Sequence, residues 1–262
     1  MTVDRNKLAA QAVVIAVGGV DPGGKAGLAA DLLTIRELDG DARLIAAATT
    51  AQNDATWFGS WATPPAQLRA VLQSMDLPPT RVAIKFGMLG SLANAKIALQ
   101  WAQHYDFPLV VDPIRAASSG GSMWPDDDEA SVLHFLRAEL FVASTVITPN
   151  WLELQWIAGK TLRDLADAEA ALRQLPCPAI LKGGHAPERW RNVDIVFDGR
   201  QLEHLPARRT WIGKVRGTGC RFASAVALGL ARGESLAQAA AAAKLHVADY
   251  ACRVAAQTSS NR

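Results

Sequence analysis

Neither charge sign is in excess in this sequence: 27 Lys and Arg stand against 25 Asp and Glu, a formal net charge of +2 over 262 residues. A nucleic-acid binder needs a basic stripe that follows the phosphate backbone, and none is present. The expected partner is a small molecule, with neither nucleic acid nor membrane involved. Cysteine is scarce. Cys177, Cys220 and Cys252 are odd in number and far apart, which argues against a disulfide framework or a paired zinc motif and points to a reducing compartment, the cytoplasm. Long apolar runs are missing too. Ala12 to Val17 is too short for a signal-peptide core or a membrane span, and Met1 to Gln11 before it is polar and charged, so no export route is expected.

What is present suits a large core. Half of the residues are hydrophobic and a fifth are charged, the balance of an ordinary globular chain rather than a disordered one. A chain of this length can form one α/β domain, and with no repeat or linker visible a single domain over 1–262 is expected, loose only at the polar tail Thr258 to Arg262. Short β-rich runs alternate with longer segments of helical spacing. The runs Ala12 to Val17, Arg43 to Thr49, Val82 to Phe86, Pro108 to Val111, Thr145 to Thr148, Ala179 to Lys182 and Val193 to Phe197 read as strands. Helical patterns cover Gly24 to Leu38, Pro65 to Met75, Asn94 to Tyr105, Asp127 to Leu140, Leu162 to Leu175, Gly217 to Arg232 and Ala237 to Ala256. This alternation predicts an α/β fold with a mainly parallel central sheet and helices on both faces, because strands covered on both sides carry unbroken apolar runs.

Ligands of such sheets bind beyond the carboxyl ends of the strands, so the residues following each strand carry the functional information. After the first strand comes a glycine-dense segment, Gly18 to Gly27, leading into a helix that carries Asp31. Its glycines let backbone N–H groups approach a ligand closely. The strongest signal is Gly217-Thr218-Gly219-Cys220 ahead of a small-residue helix. A glycine-bounded helix start offers unpaired N–H groups and the positive dipole end to phosphate oxygens, which suits a transferring phosphoryl group. Cys220 at that start is expected to have its thiolate favoured by the dipole and to act as a base; packing as a small buried hydrophobe is the alternative.

Asn150 and Glu153, one helical turn apart, offer oxygen ligands for Mg²⁺ beside nucleotide phosphates, or Asn150 simply caps the helix from Trp151 to Ala158. Asp112 ends one strand and is a second candidate for the metal. Lys182 ends another and can neutralise phosphate charge, whereas His185 reads as a turn residue.

Taken together, these segments resemble the hydroxymethylpyrimidine/phosphomethylpyrimidine kinases of thiamine synthesis, within the ribokinase-like superfamily. The resemblance spans nearly the whole chain and rests on Gly18 to Asp31, Ala51-Gln52-Asn53, Lys85-Phe86-Gly87-Met88-Leu89, Val111-Asp112-Pro113, Ile147 to Glu153, Leu181 to His185 and Gly217 to Cys220, in family order. It implies a ribokinase-like fold and ATP-dependent phosphorylation of 4-amino-5-hydroxymethyl-2-methylpyrimidine, its monophosphate, or both. By the same resemblance Gln52 hydrogen-bonds the aminopyrimidine ring, Asp31 and Met88 neighbour the substrate, and Asn150 and Glu153 serve metal and phosphate. Lys182 serves ATP, and Cys220 replaces the catalytic aspartate of sugar kinases. Mg²⁺-ATP is the implied cosubstrate and a homodimer the implied assembly.

The chain departs from the family pattern at Gly23-Gly24-Lys25, at Ile114 to Gly120, and at Arg216 and Arg221, where histidine and threonine are common. Lys25, Arg216 and Arg221 are expected to add positive charge around a substrate phosphate, with solvated surface charge as the alternative. Trp57 and Trp61 fall in an expected loop, as a lid, an interface or core packing. Two other functions remain open at this point: a pyridoxal-type kinase, which shares the Gly-Thr-Gly-Cys cysteine, and a non-catalytic paralogue that binds and senses a thiamine precursor.

Overall fold

A computed structural model describes residues 11–77, 81–116, 120–206 and 215–260. Among the described residues nine strands form one sheet: β1 (Val13–Val20), β2 (Asp41–Gln52), β3 (Trp57–Ala62), β4 (Val82–Phe86), β5 (Leu109–Val111), β6 (Val146–Ile147), β7 (Ala179–Leu181), β8 (Asp194–Phe197) and β9 (Leu202–Leu205). Their order across the sheet is β3-β2-β1-β4-β5-β6-β7-β8-β9. The six strands from β2 to β7 run parallel, while β3 at one edge and β8 and β9 at the other are antiparallel. The helices are α1 (Gly27–Glu37), α2 (Pro65–Gln73), α3 (Leu92–Ala102), α4 (Glu129–Phe135, continued by a π-turn Leu136–Leu140), α5 (Trp151–Ala158), α6 (Leu165–Leu172), α7 (Thr218–Ala231) and α8 (Leu236–Ser260).

Strand periodicity divides the core into two layers. Val13, Ile15 and Val17 of β1 join Ile84, Val111, Ile147 and Leu181 on one face, packed against apolar residues of α2 to α6. Val14, Ala83, Val110, Val146 and Ile180 point to the other face, against α1, α7 and α8. Successive side chains of a strand point to opposite faces, so a strand buried on both faces is an uninterrupted apolar run, as β1 is from Val13 to Gly19.

The expected strands and helices recur with shifts of a few residues at their ends. Trp57 and Trp61 are the correction: they lie in β3, an edge strand paired antiparallel with β2, and not in a loop. Trp61 is 62% exposed, whereas the Trp57 ring packs at Gly121 beside a small cluster of Ala48, Met88 and Met123. Among the described residues, no helix is long and apolar enough to cross a membrane.

Candidate active site

The chain runs from β1 to β2 on one side and then crosses to β4 on the other, and such a reversal of direction is where open α/β sheets bind ligands. A cavity of about 240 Å³ opens there. Its walls follow the sheet. Thr50 and Gln52 of β2 and Val20 of β1 lie at one end with Met88; Lys85 and Asp112 lie along the middle; Asn150, Glu153 and Lys182 follow; and Gly184, His185, Asn192 and Asp194 close the far end. The start of β8 reaches this end because β8 is antiparallel to β7, with Leu181 opposite Ile195. Gly217, Thr218, Gly219 and Cys220, at the start of α7, and Lys244 and Leu245 of α8 line the cavity as well.

At the first end, Asp21 organises the glycine-rich segment. Its carboxylate accepts hydrogen bonds from the backbone amides of Gly23 (3.2 Å), Lys25 (3.2 Å) and Ala26 (3.0 Å). Arg216 reaches the same carboxylate at 3.4 Å, donates to Gln52 Oε1 at 2.7 Å and contacts Asp54 at 3.2 Å. Gln52 Nε2 in turn donates to Thr50 Oγ1 at 3.0 Å. Of the three cations expected around a phosphate, Arg216 alone lines the cavity. Lys25 is exposed and ion-paired with Asp54. Arg221 is buried away from the cavity, stacked on Tyr250. The altered segment 114–120 is only partly visible, since 117–119 lie outside the described residues.

Asp31 does not line the cavity; it lies fully buried beneath it. Both of its carboxylate oxygens accept from Lys85 Nζ at 3.0 Å, and Oδ1 also accepts from Ser224 Oγ at 2.8 Å. Burial pushes the Asp31 carboxyl up, against the opposing pull of Lys85 and Ser224. Burial works against the lysine charge as well, but Asp31, with Cys220 and Asp112 nearby, holds the ammonium above the ordinary lysine range. A buried charge persists only when paired and hydrogen-bonded, and Asp31 supplies that pairing for the Lys85 ammonium in the cavity wall.

Cys220 behaves opposite to expectation. Desolvation pushes its thiol up to about 11; Lys85 pulls the other way, and the carboxylates of Asp31 and Asp112 add to the rise. The favourable helix start is outweighed by burial and by two neighbouring negative groups.

Asn150 and Glu153 form a reciprocal capping box at the start of α5. Asn150 Oδ1 accepts from the Glu153 amide at 3.0 Å, and Glu153 Oε2 accepts from the Asn150 amide at 2.6 Å. The capping alternative for Asn150 is therefore the geometry found. Lys182 Nζ lies 2.7 Å from Asp112 Oδ1 and 4.0 Å from Glu153 Oε2. The two carboxylates expected at the metal, Asp112 and Glu153, are thus counter-charged by a lysine between them, an arrangement that does not fit direct ligation of one cation by both. Burial pushes Glu153 up to about 7, opposed by Lys182 and reinforced by Asp112.

The start of α7 lacks such a cap. Gly217 has φ +78, and a Cβ there would lie 1.9 Å from the Lys25 carbonyl oxygen, so only glycine fits. Among the described residues no side chain caps the helix. A Cβ on Gly219 would lie 3.4 Å from Lys182 Nζ and 3.7 Å from Asp112 Oδ2, which sets this turn directly over the Lys182–Asp112 pair. At the far end, Lys244 pairs with Asp194 at 2.9 Å, and Asp194 also accepts from the Gly183 amide at 2.8 Å. His185 sits in a 3₁₀ turn, Gly183–His185, and lines the cavity.

The structure gathers Gln52, Met88, Asp112, Asn150, Glu153, Lys182, Gly217, Thr218, Gly219 and Cys220 around one cavity. Lys85 was missed as a site residue, although a lysine inside the apolar run Val-Ala-Ile-Lys-Phe of β4 is itself a signal. Asp21 and the Lys244–Asp194 pair left no comparable trace.

The phosphomethylpyrimidine kinase family profile matches residues 21–259. The chain is 36% identical over 239 residues to a hydroxymethylpyrimidine/phosphomethylpyrimidine kinase of Streptomyces coelicolor, covering 90% of this chain and 87% of that one. A Bacillus subtilis protein of the same name is 33% identical, with 86% and 83% covered. Among solved structures, the pyridoxal kinase of Staphylococcus aureus in complex with AMP-PCP and pyridoxal is similar at a TM-score of 0.79 and 27% identity, covering 91% of this chain and 87% of that one.

Proposed function

The chain belongs to the phosphomethylpyrimidine kinase family, and from that premise we propose that it transfers the γ-phosphoryl group of ATP to 4-amino-5-hydroxymethyl-2-methylpyrimidine and to its monophosphate in thiamine synthesis. The observation that carries this reading is the uncapped, glycine-bounded start of α7 lying over Lys182 and Asp112 in the cavity. The pyrimidine lies at the Gln52–Met88 end, and ATP enters from the end lined by Gly184, Asn192 and Asp194. The amides of Thr218, Gly219 and Cys220 receive the phosphoryl oxygens, and Lys85 and Lys182 add positive charge. In the first transfer the substrate hydroxyl gives its proton to the Cys220 thiolate, formed when the thiol loses its own proton to solvent, as the substrate oxygen bonds to phosphorus and the bond to the ADP oxygen breaks. In the second, the acceptor is a phosphate oxygen that is already anionic.

Magnesium accompanies the nucleotide phosphates, which with water can supply most of its ligands. Arg216 sets Gln52 by holding its Oε1, and Asp31 acts through Lys85. The enzyme is a single-domain cytoplasmic protein that pairs as a homodimer; support for the pairing comes from edge strand β3, where Phe58 and Trp61 are 68% and 62% exposed. The deciding test is ADP release with Mg²⁺-ATP and, in turn, the pyrimidine alcohol, its monophosphate and pyridoxal. ADP from both pyrimidines is expected. ADP from pyridoxal alone, or binding of the pyrimidine without ADP, would reject the reading in favour of a pyridoxal kinase or a sensor.

A further inference from the structure

The turn carrying Gly217 to Cys220 is gripped at both ends by one residue of the last helix. Before the turn, Tyr250 Oη donates to the backbone carbonyl of Arg216 at 3.3 Å. After it, the Arg221 guanidinium lies 3.8 Å from the centroid of the Tyr250 ring. Arg221 is itself anchored: it donates to Thr34 Oγ1 of α1 at 3.1 Å and lies 3.8 Å from Glu37 Oε2. Glu37 also meets His246 at 3.4 Å and Arg253 at 3.6 Å, both on α8. A desolvated guanidinium over an aromatic face is strongly attracted to it, so the ring and the α1 groups hold the first turn of α7 from behind. On its other side the turn abuts the Lys25 carbonyl.

We propose that Tyr250 is a positioning residue for phosphoryl transfer, fixing the direction of the amides of residues 218–220 by holding the chain on both sides of them. The inference rests on the proposed kinase activity. It adds that the anion-binding geometry depends on α8 and on Arg221. A displacement of about 1 Å in reacting groups can reduce rate about 10²-fold, and an interaction used mainly in the transition state reads as a fall in kcat with KM unchanged.

The test compares Tyr250→Phe, which keeps the ring and loses the hydroxyl, with Tyr250→Leu, which loses both, and with Arg221→Lys. Steady-state kinetics for ATP and the pyrimidine alcohol are combined with hydrogen exchange of peptides covering residues 215–222. Expected are a kcat loss of up to about 10-fold for Tyr250→Phe and about 10²-fold for Tyr250→Leu, steady KM values, and faster exchange in that turn with the β1 and β4 peptides unchanged. Arg221→Lys should resemble Tyr250→Phe. Unchanged kcat and exchange in Tyr250→Leu, or a rise in KM with kcat intact, would overturn the proposal. If Tyr250→Leu does not fold, Tyr250→Phe decides by the same two readouts. A wild-type protein that forms no ADP from any of the acceptors would reject the kinase reading instead, and hydrogen exchange would then decide the positioning claim.

Discussion

Of the helices that begin at the cavity, α5 and α7 have starts built in opposite ways. Asn150 and Glu153 close α5 with a capping box, so its first amides are satisfied by the protein. At α7 the cap position is Gly217 in the left-handed region, and among the described residues no side chain caps the amides that follow. The first amides of any helix lack intrahelical partners. Satisfying them internally stabilises the fold, whereas leaving them free keeps donors for a ligand. Side by side, the two starts separate a stability device from a candidate catalytic one within the same wall.

The largest test of this contrast is Cys220→Ala. Loss of a general base typically reduces rate about 10² to 10⁴-fold, and the loss should fall on the alcohol, while kcat for the monophosphate changes less than about 10-fold because its acceptor oxygen is already ionised. With the thiol pushed up to about 11, wild-type kcat/KM for the alcohol should rise through pH 7–9, and that rise should vanish in the variant. Equal losses on both substrates would remove the cysteine from proton transfer. Next comes Gly217→Ala, which forces a Cβ towards the Lys25 carbonyl. Displacing anion-binding amides should reduce kcat about 10² to 10³-fold for both substrates, and retained turnover would contradict the assignment of α7.

On the closed helix the effects should be thermodynamic. Asn150→Ala should lower stability by about 1 kcal/mol, a few degrees in Tm, with kcat within about 3-fold of wild type. A collapse of kcat there would break the contrast, because α5 would then be serving the ligand as well. The smallest effect expected is for Glu153→Gln. Burial raises the Glu153 pKa from 4.5 to about 7, so its contribution to stability is fully present below pH 4.5 and is lost as pH rises through 7. The variant, which keeps an acceptor for the Asn150 amide, should therefore gain up to about 1 kcal/mol over wild type at pH 8, partly offset by leaving Lys182 with fewer carboxylates. Urea midpoints at pH 4 and pH 8 would show whether the advantage closes with acidification.

The parallel centre of the sheet was legible because its strands are buried on both faces and read as apolar runs. The edges were not. Trp57 to Ala62 is half-exposed and interrupted by Gly59 and Ser60, and Leu202 to Leu205 has exposed Glu203 and His204, so neither carries the signature of a covered strand. In the site, Gly217 to Cys220 was legible as a glycine-bounded helix start and Asn150 as a possible cap. The state of Cys220 was not, because it depends first on desolvation and then on Lys85, Asp31 and Asp112, distant in sequence and brought close only by the fold. Arg221 misled for a similar reason: its neighbour Cys220 lines the cavity, but its own side chain turns back onto Tyr250.

The cavity draws its wall from Gly18 near one end of the described chain to Ala248 near the other. Occupancy therefore reports on assembly of distant parts: a chain in which α8 has not docked on the sheet lacks one wall of its pocket. Whatever fills that space also joins β1 to α8, and binding only to the folded form raises the stability of that form by mass action. Cellular ligand supply would in this way influence how much of the newly made protein survives proteolysis, independently of turnover.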